Sequence, residues 1–89
     1  MEKQTHSIDR LLERISINPN VMVGKPVIRG TRIPVELIVK MLAQGIAETE
    51  ILSEYPRLEM EDIRAALAYA AITLSNEEVI PIFETELVS

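Results

Sequence analysis

The chain has no cysteine, which excludes a disulfide framework, a cysteine-ligated zinc site, an iron–sulfur cluster and thiol chemistry, and suits a reducing cytoplasm. Its one histidine, His6, sits in a polar opening segment, where a solvated ring is expected rather than a general base or metal ligand. Tryptophan is absent, and two Tyr and one Phe bring the aromatic share to 3% against 47% hydrophobic residues. A core must therefore be built from Leu, Ile, Val, Met and Ala. In 89 residues that makes one compact domain with a thin core, to which dimerisation or a partner adds burial. No basic stretch followed by an apolar run opens the chain, and no window of about 18 uncharged apolar residues occurs. A soluble cytoplasmic protein without membrane contact is expected.

The net charge of −5 is uneven. Residues 1–20 are neutral, residues 21–40 carry +3 through Lys25, Arg29, Arg32 and Lys40 against Glu36, and residues 41–89 carry −8. An acidic whole disfavours non-specific binding to polyanions, whose affinity comes largely from phosphate neutralisation. Only the segment 21–40 offers a basic footprint.

Ile8, Leu11, Leu12 and Ile15 recur at helical spacing, which predicts a short amphipathic helix leading into a strand over Arg14–Ile17. Asn18-Pro19-Asn20 breaks that strand. Val27-Ile28 and Ile33-Pro34-Val35 read as brief extended pieces around the Arg29-Gly30-Thr31-Arg32 turn, and each Pro confines them to a sheet edge or small hairpin. Pro34 then opens a helix over Val35–Gln44, closed by Gly45. A second helix spans Ala47–Tyr55, with Glu48 and Glu50 complementing its dipole, and stops before Pro56. The longest helix covers about Glu59–Ser75, where Met60, Ile63, Leu67, Ala70 and Leu74 fall on one stripe. Ala65, Ala66, Ala68, Ala71 and Ile72 leave its second half apolar on nearly every side. Such a helix is buried on more than one side, and Ala68, Ala71 and Ile72 are its candidate contacts to a second subunit or partner. The tail beyond Asn76 carries Val79, Ile80, Ile82, Phe83, Leu87 and Val88 among four acids. It is too apolar for a typical disordered tail and suits either a cover for the domain or a docking segment.

Three consecutive helices with a short middle one match the helix-turn-helix layout. Glu59, Glu61 and Asp62 at the start of the third would meet phosphates first and repel them. Lys25, Arg29, Arg32 and Lys40 are the alternative nucleic-acid contacts. The plainer reading, which is favoured, is that Arg29 and Arg32 pair with the acids of residues 48–62 or solvate the strand edges. No metal-ligand spacing or nucleophile–base set is present. Gly24-Lys25 lacks a glycine-rich lead, and Pro26 stands where a phosphate-binding loop needs a hydroxyl. The neighbouring acids Glu61-Asp62 and Glu77-Glu78 read as solvated faces. No enzyme activity and no cofactor are expected.

The string GKPVIRGTRIPV from Gly24 to Val35, followed by LSEYPRLEMEDIRAALAYA from Leu52 to Ala70, resembles the prokaryotic domain-of-unknown-function family four hundred and thirty-three from about Ile15 to Val79. The resemblance implies a mainly α fold, a trihelical homeodomain-like or winged-helix-like domain with a small N-terminal β element. It also implies an antitoxin role, since family members are often encoded beside PIN-like proteins. The family pattern falls on Gly24, Lys25, Pro26, Ile28, Gly30, Thr31, Arg32, Ile33, Pro34, Tyr55, Pro56, Asp62, Ile63 and Arg64. Members commonly carry Ser or Thr where this chain has Ala47 and Glu59. Losing such an N-cap costs about 1 kcal/mol, so both helix starts are expected to fray.

The organisation expected is an N-terminal segment over 1–14, a trihelical domain over 15–75 and a tail over 76–89. The leading functional expectation is a non-enzymatic, homodimeric antitoxin-like protein that binds a PIN-like partner through Val79 to Val88. The alternative is a DNA-binding autoregulator using the four cations.

Overall fold

The computed structural model describes residues 8–76. Helix α1 covers residues 8–12 and leads into strand β1, Ile15–Ser16; a tight turn at Met22–Gly24 precedes strand β2, Val27–Ile28. Helices α2 (Val35–Ala43), α3 (Glu48–Glu54) and α4 (Met60–Asn76) complete a mainly helical fold with one small antiparallel sheet.

Ile15 lies opposite Ile28, and Ser16 opposite Val27. Val27 also bridges Pro34 on its other side, so β2 is the middle of three extended pieces. Pro34 has no amide to offer and occupies the outer edge, where none is needed. The Arg29-Gly30 corner closes through the Thr31 amide donating to the Ile28 carbonyl at 2.9 Å, with Gly30 at φ +82°. The Thr31 hydroxyl donates to the same carbonyl at 2.7 Å and accepts the Ile33 amide at 2.9 Å. That side chain ties the corner to the returning strand.

Helix α2 ends as its sequence requires. Gly45 adopts φ +88°, its amide donates to the Leu42 carbonyl and that of Ile46 to the Met41 carbonyl, the paired bonds of a Schellman motif. Ala47 precedes α3 with no side-chain cap. The start of α4 differs from expectation: the Asp62 carboxylate accepts the Glu59 amide at 2.8 Å, supplying the returning half of a capping box without a hydroxyl at its head.

Ile38, Ile51, Ile63, Ala65 and Ala66 are fully buried, with Ile15, Ile28, Val35 and Leu58 around them. Tyr55 and Tyr69 pack on the periphery. The stripe expected on α4 is corrected here. Ile63 is in the core, but Leu67 is 42% and Leu74 66% exposed, while Ala65, Ala66 and Ala68 are buried. Alanines let neighbouring backbones approach closely, so the helix turns its small residues inward and carries its larger ones outside.

Candidate functional site

The buried carboxylate of Asp62, 5% exposed, corrects the solvated face expected for Glu61-Asp62. One of its oxygens takes the Glu59 amide and the other takes Arg14 Nη1 at 3.0 Å. Arg14 Nη1 also reaches Glu59 Oε1 at 2.9 Å. The hydrogen bonds it donates to Glu59 first and Asp62 second hold the Arg14 guanidinium above its ordinary pKa. The triad fastens the start of α4 to the residue before β1. Its sequence signal is an Asp three residues after the helix cap, a spacing that favours reciprocal capping.

Arg29 donates Nε to the Glu13 carbonyl at 2.8 Å and Nη2 to the Ile15 carbonyl at 3.0 Å. It therefore braces backbone at the α1–β1 junction instead of meeting the acids of residues 48–62. Arg57 donates to the Gly30 carbonyl at 3.3 Å, and Arg32 is exposed.

The four cations grouped by sequence are not brought together. Arg32 and Arg57 line a cleft of about 620 Å³ beside the Gly30 corner. Arg57 continues into a cleft of about 570 Å³ with Arg10, Arg14 and Arg29. Arg10 and Arg14 in turn join Arg64 in a third, of about 320 Å³. The six arginines of the chain thus line one continuous run of clefts, interrupted by Glu13, Glu59, Glu61 and Asp62.

Lys25 and Lys40 lie elsewhere, on an apolar groove of about 530 Å³ between α2 and the second half of α4. Pro26, Pro34, Val35, Val39 and Ala43 form one wall, and Tyr69, Ala70 and Leu74 the other. Lys25 Nζ meets Glu36 Oε2 at 3.2 Å in an exposed pair, a contact of small energetic weight.

Of the expected partner contacts, Ala71 and Ile72 are exposed, whereas Ala68, at 7%, is already covered within the single chain. Val79, Ile80, Ile82, Phe83, Leu87, Val88 and His6 lie outside the described residues. Sequence reasoning missed Val23. It is 93% exposed and adopts φ +57° after Met22 at φ +52°, a left-handed turn that a β-branched side chain disfavours. Nothing in Met-Val signals such a turn.

Among the described residues, no three His, Cys, Asp or Glu side chains are grouped to hold a metal ion. No described helix is long and apolar enough to cross a membrane.

The profile of the family described as protein of unknown function (DUF433) matches residues 15–70. A crystal structure of a DUF433 member from Anabaena variabilis superposes with a TM-score of 0.67 at 35% identity, covering 83% of this chain and 73% of that one. The uncharacterized protein y4eO of Sinorhizobium fredii is 38% identical over 58 residues, 65% of this chain. This chain spans only 26% of that relative's length. An uncharacterized protein of Archaeoglobus fulgidus is 57% identical over 30 residues, 34% of this chain and 83% of its own.

Proposed function

The chain belongs to the DUF433 family, and from that premise we propose that it is a non-enzymatic partner-binding protein of the antitoxin type, acting in a prokaryotic toxin–antitoxin module on a PIN-like protein. The observation that carries this reading is the apolar exposure of α4, where Leu74 lines an open apolar groove and Leu67 and Ile72 are exposed on the same helix. Exposed apolar surface contiguous over several residues marks interaction sites in soluble proteins. The apolar residues Val79, Ile80, Ile82, Phe83, Leu87 and Val88 of the sequence are assigned to the same partner, and Ala71 and Ile72 provide for homodimer packing.

Affinity purification of the tagged full chain from its native host, with mass spectrometry of retained proteins, tests the reading. Stoichiometric recovery of a PIN-like protein from the native chain, lost with Ile72→Asp, is the expected result. Recovery unaffected by that substitution removes α4 from the interface, and no PIN-like protein at all ends the antitoxin reading.

The run of arginine clefts favours a second role, DNA binding for autoregulation. Guanidinium groups match phosphate geometry with paired donors. Arg32 and Arg57 are its test positions, because Arg32 is exposed and Arg57 makes one long bond to the Gly30 carbonyl, whereas Arg29 is held by two shorter ones. Arg32→Ala with Arg57→Ala should weaken DNA binding across sequences and flatten its salt dependence by about one logarithmic unit per lost phosphate contact. Binding indifferent to salt contradicts this role.

A further inference from the structure

We propose that the cleft beside the Gly30 corner seats one unpaired nucleotide, with its phosphate on Arg32 and Arg57 and its base against Val21, Val27 and Ile33. This rests on the polyanion reading of the arginine clefts and narrows it to a single ligand class; the antitoxin reading is not needed.

Charge singles this cleft out. It is lined by Arg32 and Arg57 and by no acid. The apolar groove and the two neighbouring arginine clefts each hold a carboxylate: Glu36 in the first, Glu13, Glu59 and Asp62 in the second, Glu61 in the third. Among the described residues, no carboxylate comes within ion-pair distance of Arg32 or Arg57. Arg57 donates one N–H to the Gly30 carbonyl, which holds it at the corner and leaves its other donors unused.

The remaining polar groups of the lining are also donors. Asn18 Oδ1 already accepts the Asn20 amide at 2.8 Å, so that side chain offers its amide hydrogens. The Thr31 hydroxyl is committed in both directions, and Ser16 adds a half-buried hydroxyl. Donors without a carboxylate select an acceptor-rich anion, and paired guanidiniums match phosphate geometry.

Size and shape extend the ligand beyond a phosphate. A volume of about 620 Å³ is that of a small-molecule site. Val27 is 2% exposed, and Val21 and Ile33 are half-buried, so the cleft has an apolar wall against which the face of a base can lie. A duplex keeps its bases stacked inside, whereas an unpaired nucleotide can turn its base into such a wall. Thymine, with carbonyl acceptors and a methyl group, suits donors beside branched aliphatic side chains.

NMR titration of isotope-labelled full-length protein with thymidine monophosphate tests the proposal. The amides of Ser16, Asn18 and residues 30–33 should shift, and inorganic phosphate should saturate only at higher concentration. Arg32→Ala with Arg57→Ala should weaken thymidine monophosphate by about tenfold or more. Ser16→Leu, which fills the cleft and touches neither charge, should weaken it comparably while duplex DNA binding stays unchanged. Where Ser16→Leu disturbs the amide spectrum, Val21→Asp carries the same test by placing an acid in the cleft. Single-stranded oligothymidylate bound more tightly than the monophosphate assigns the seat to a strand, and equal affinities assign it to the free nucleotide; both support the proposal. Shifts confined to another cleft, phosphate binding as tightly as thymidine monophosphate, or indifference to the cleft-filling substitutions overturns it. Duplex binding that is lost in Arg32→Ala with Arg57→Ala, without any response to thymidine monophosphate, keeps the DNA role and overturns the nucleotide seat.

Discussion

At the scale of single residues, the chain reserves strain and burial for a few positions. Val23 holds a left-handed backbone with its side chain 93% exposed, so no packing in the single chain offsets the steric cost. Val23→Gly should therefore raise stability by about 1 kcal/mol, roughly 4–8 °C in Tm for a domain of this size. An unchanged or lower melting temperature would show that the turn is not strained. Asp62 carries the opposite expectation. Asp62→Ala removes both the tie to Arg14 and the brace on the Glu59 amide, and should destabilise by about 2 kcal/mol in denaturant titration. Because the folded-state pKa of Arg14 is raised, its contribution is present below the ordinary arginine value and is lost only as pH rises through the raised one. The deficit of Arg14→Met should accordingly stay constant between about pH 7 and pH 10. Val23 was not legible, and Asp62 was legible only in its spacing from the helix cap. Asp62 reads as one acid among many until Arg14, 48 positions away, is folded against it, and Met-Val has no composition that marks a left-handed turn.

At the scale of elements, the helix bounds were legible because Pro and Gly punctuate them. Pro34 starts α2, Gly45 ends it, and Pro56 follows α3 within two residues of its last turn. The N-caps split. Ala47 leaves α3 without a side-chain cap, whereas α4 has Asp62 in compensation. Ala47→Ser should thus stabilise the protein by about 1 kcal/mol, and Glu59→Ser should give less, with thermal unfolding as the measure. Equal gains at both positions would contradict the asymmetry. The inward face of α4 was not legible, since alanine-rich surface surrounds most of that helix. Periodicity ranks larger side chains first, but close approach of neighbours selected Ala65 and Ala66 for the interior and left Leu67 and Leu74 outside.

For the whole molecule, the mainly helical class and the family followed from composition and the GKPVIRGTRIPV string, because local punctuation and a long motif survive without tertiary knowledge. The grouping of cations did not follow. Lys25, Arg29, Arg32 and Lys40 are near in sequence, but β2 and the Gly30 corner send the arginines to one surface, while Lys25 before β2 and Lys40 on α2 meet on another. Two surfaces of different chemistry result, one apolar with lysines at its rim and one lined by arginines. The most direct test of partner binding is native mass spectrometry of the full chain after purification with its captured partner, comparing the native sequence, Ile72→Asp and Arg32→Ala. A complex with a PIN-like protein is expected in the native chain and in Arg32→Ala, and free chain in Ile72→Asp. A complex that survives Ile72→Asp and dissociates with Arg32→Ala, or a chain that retains DNA and no protein, would contradict it.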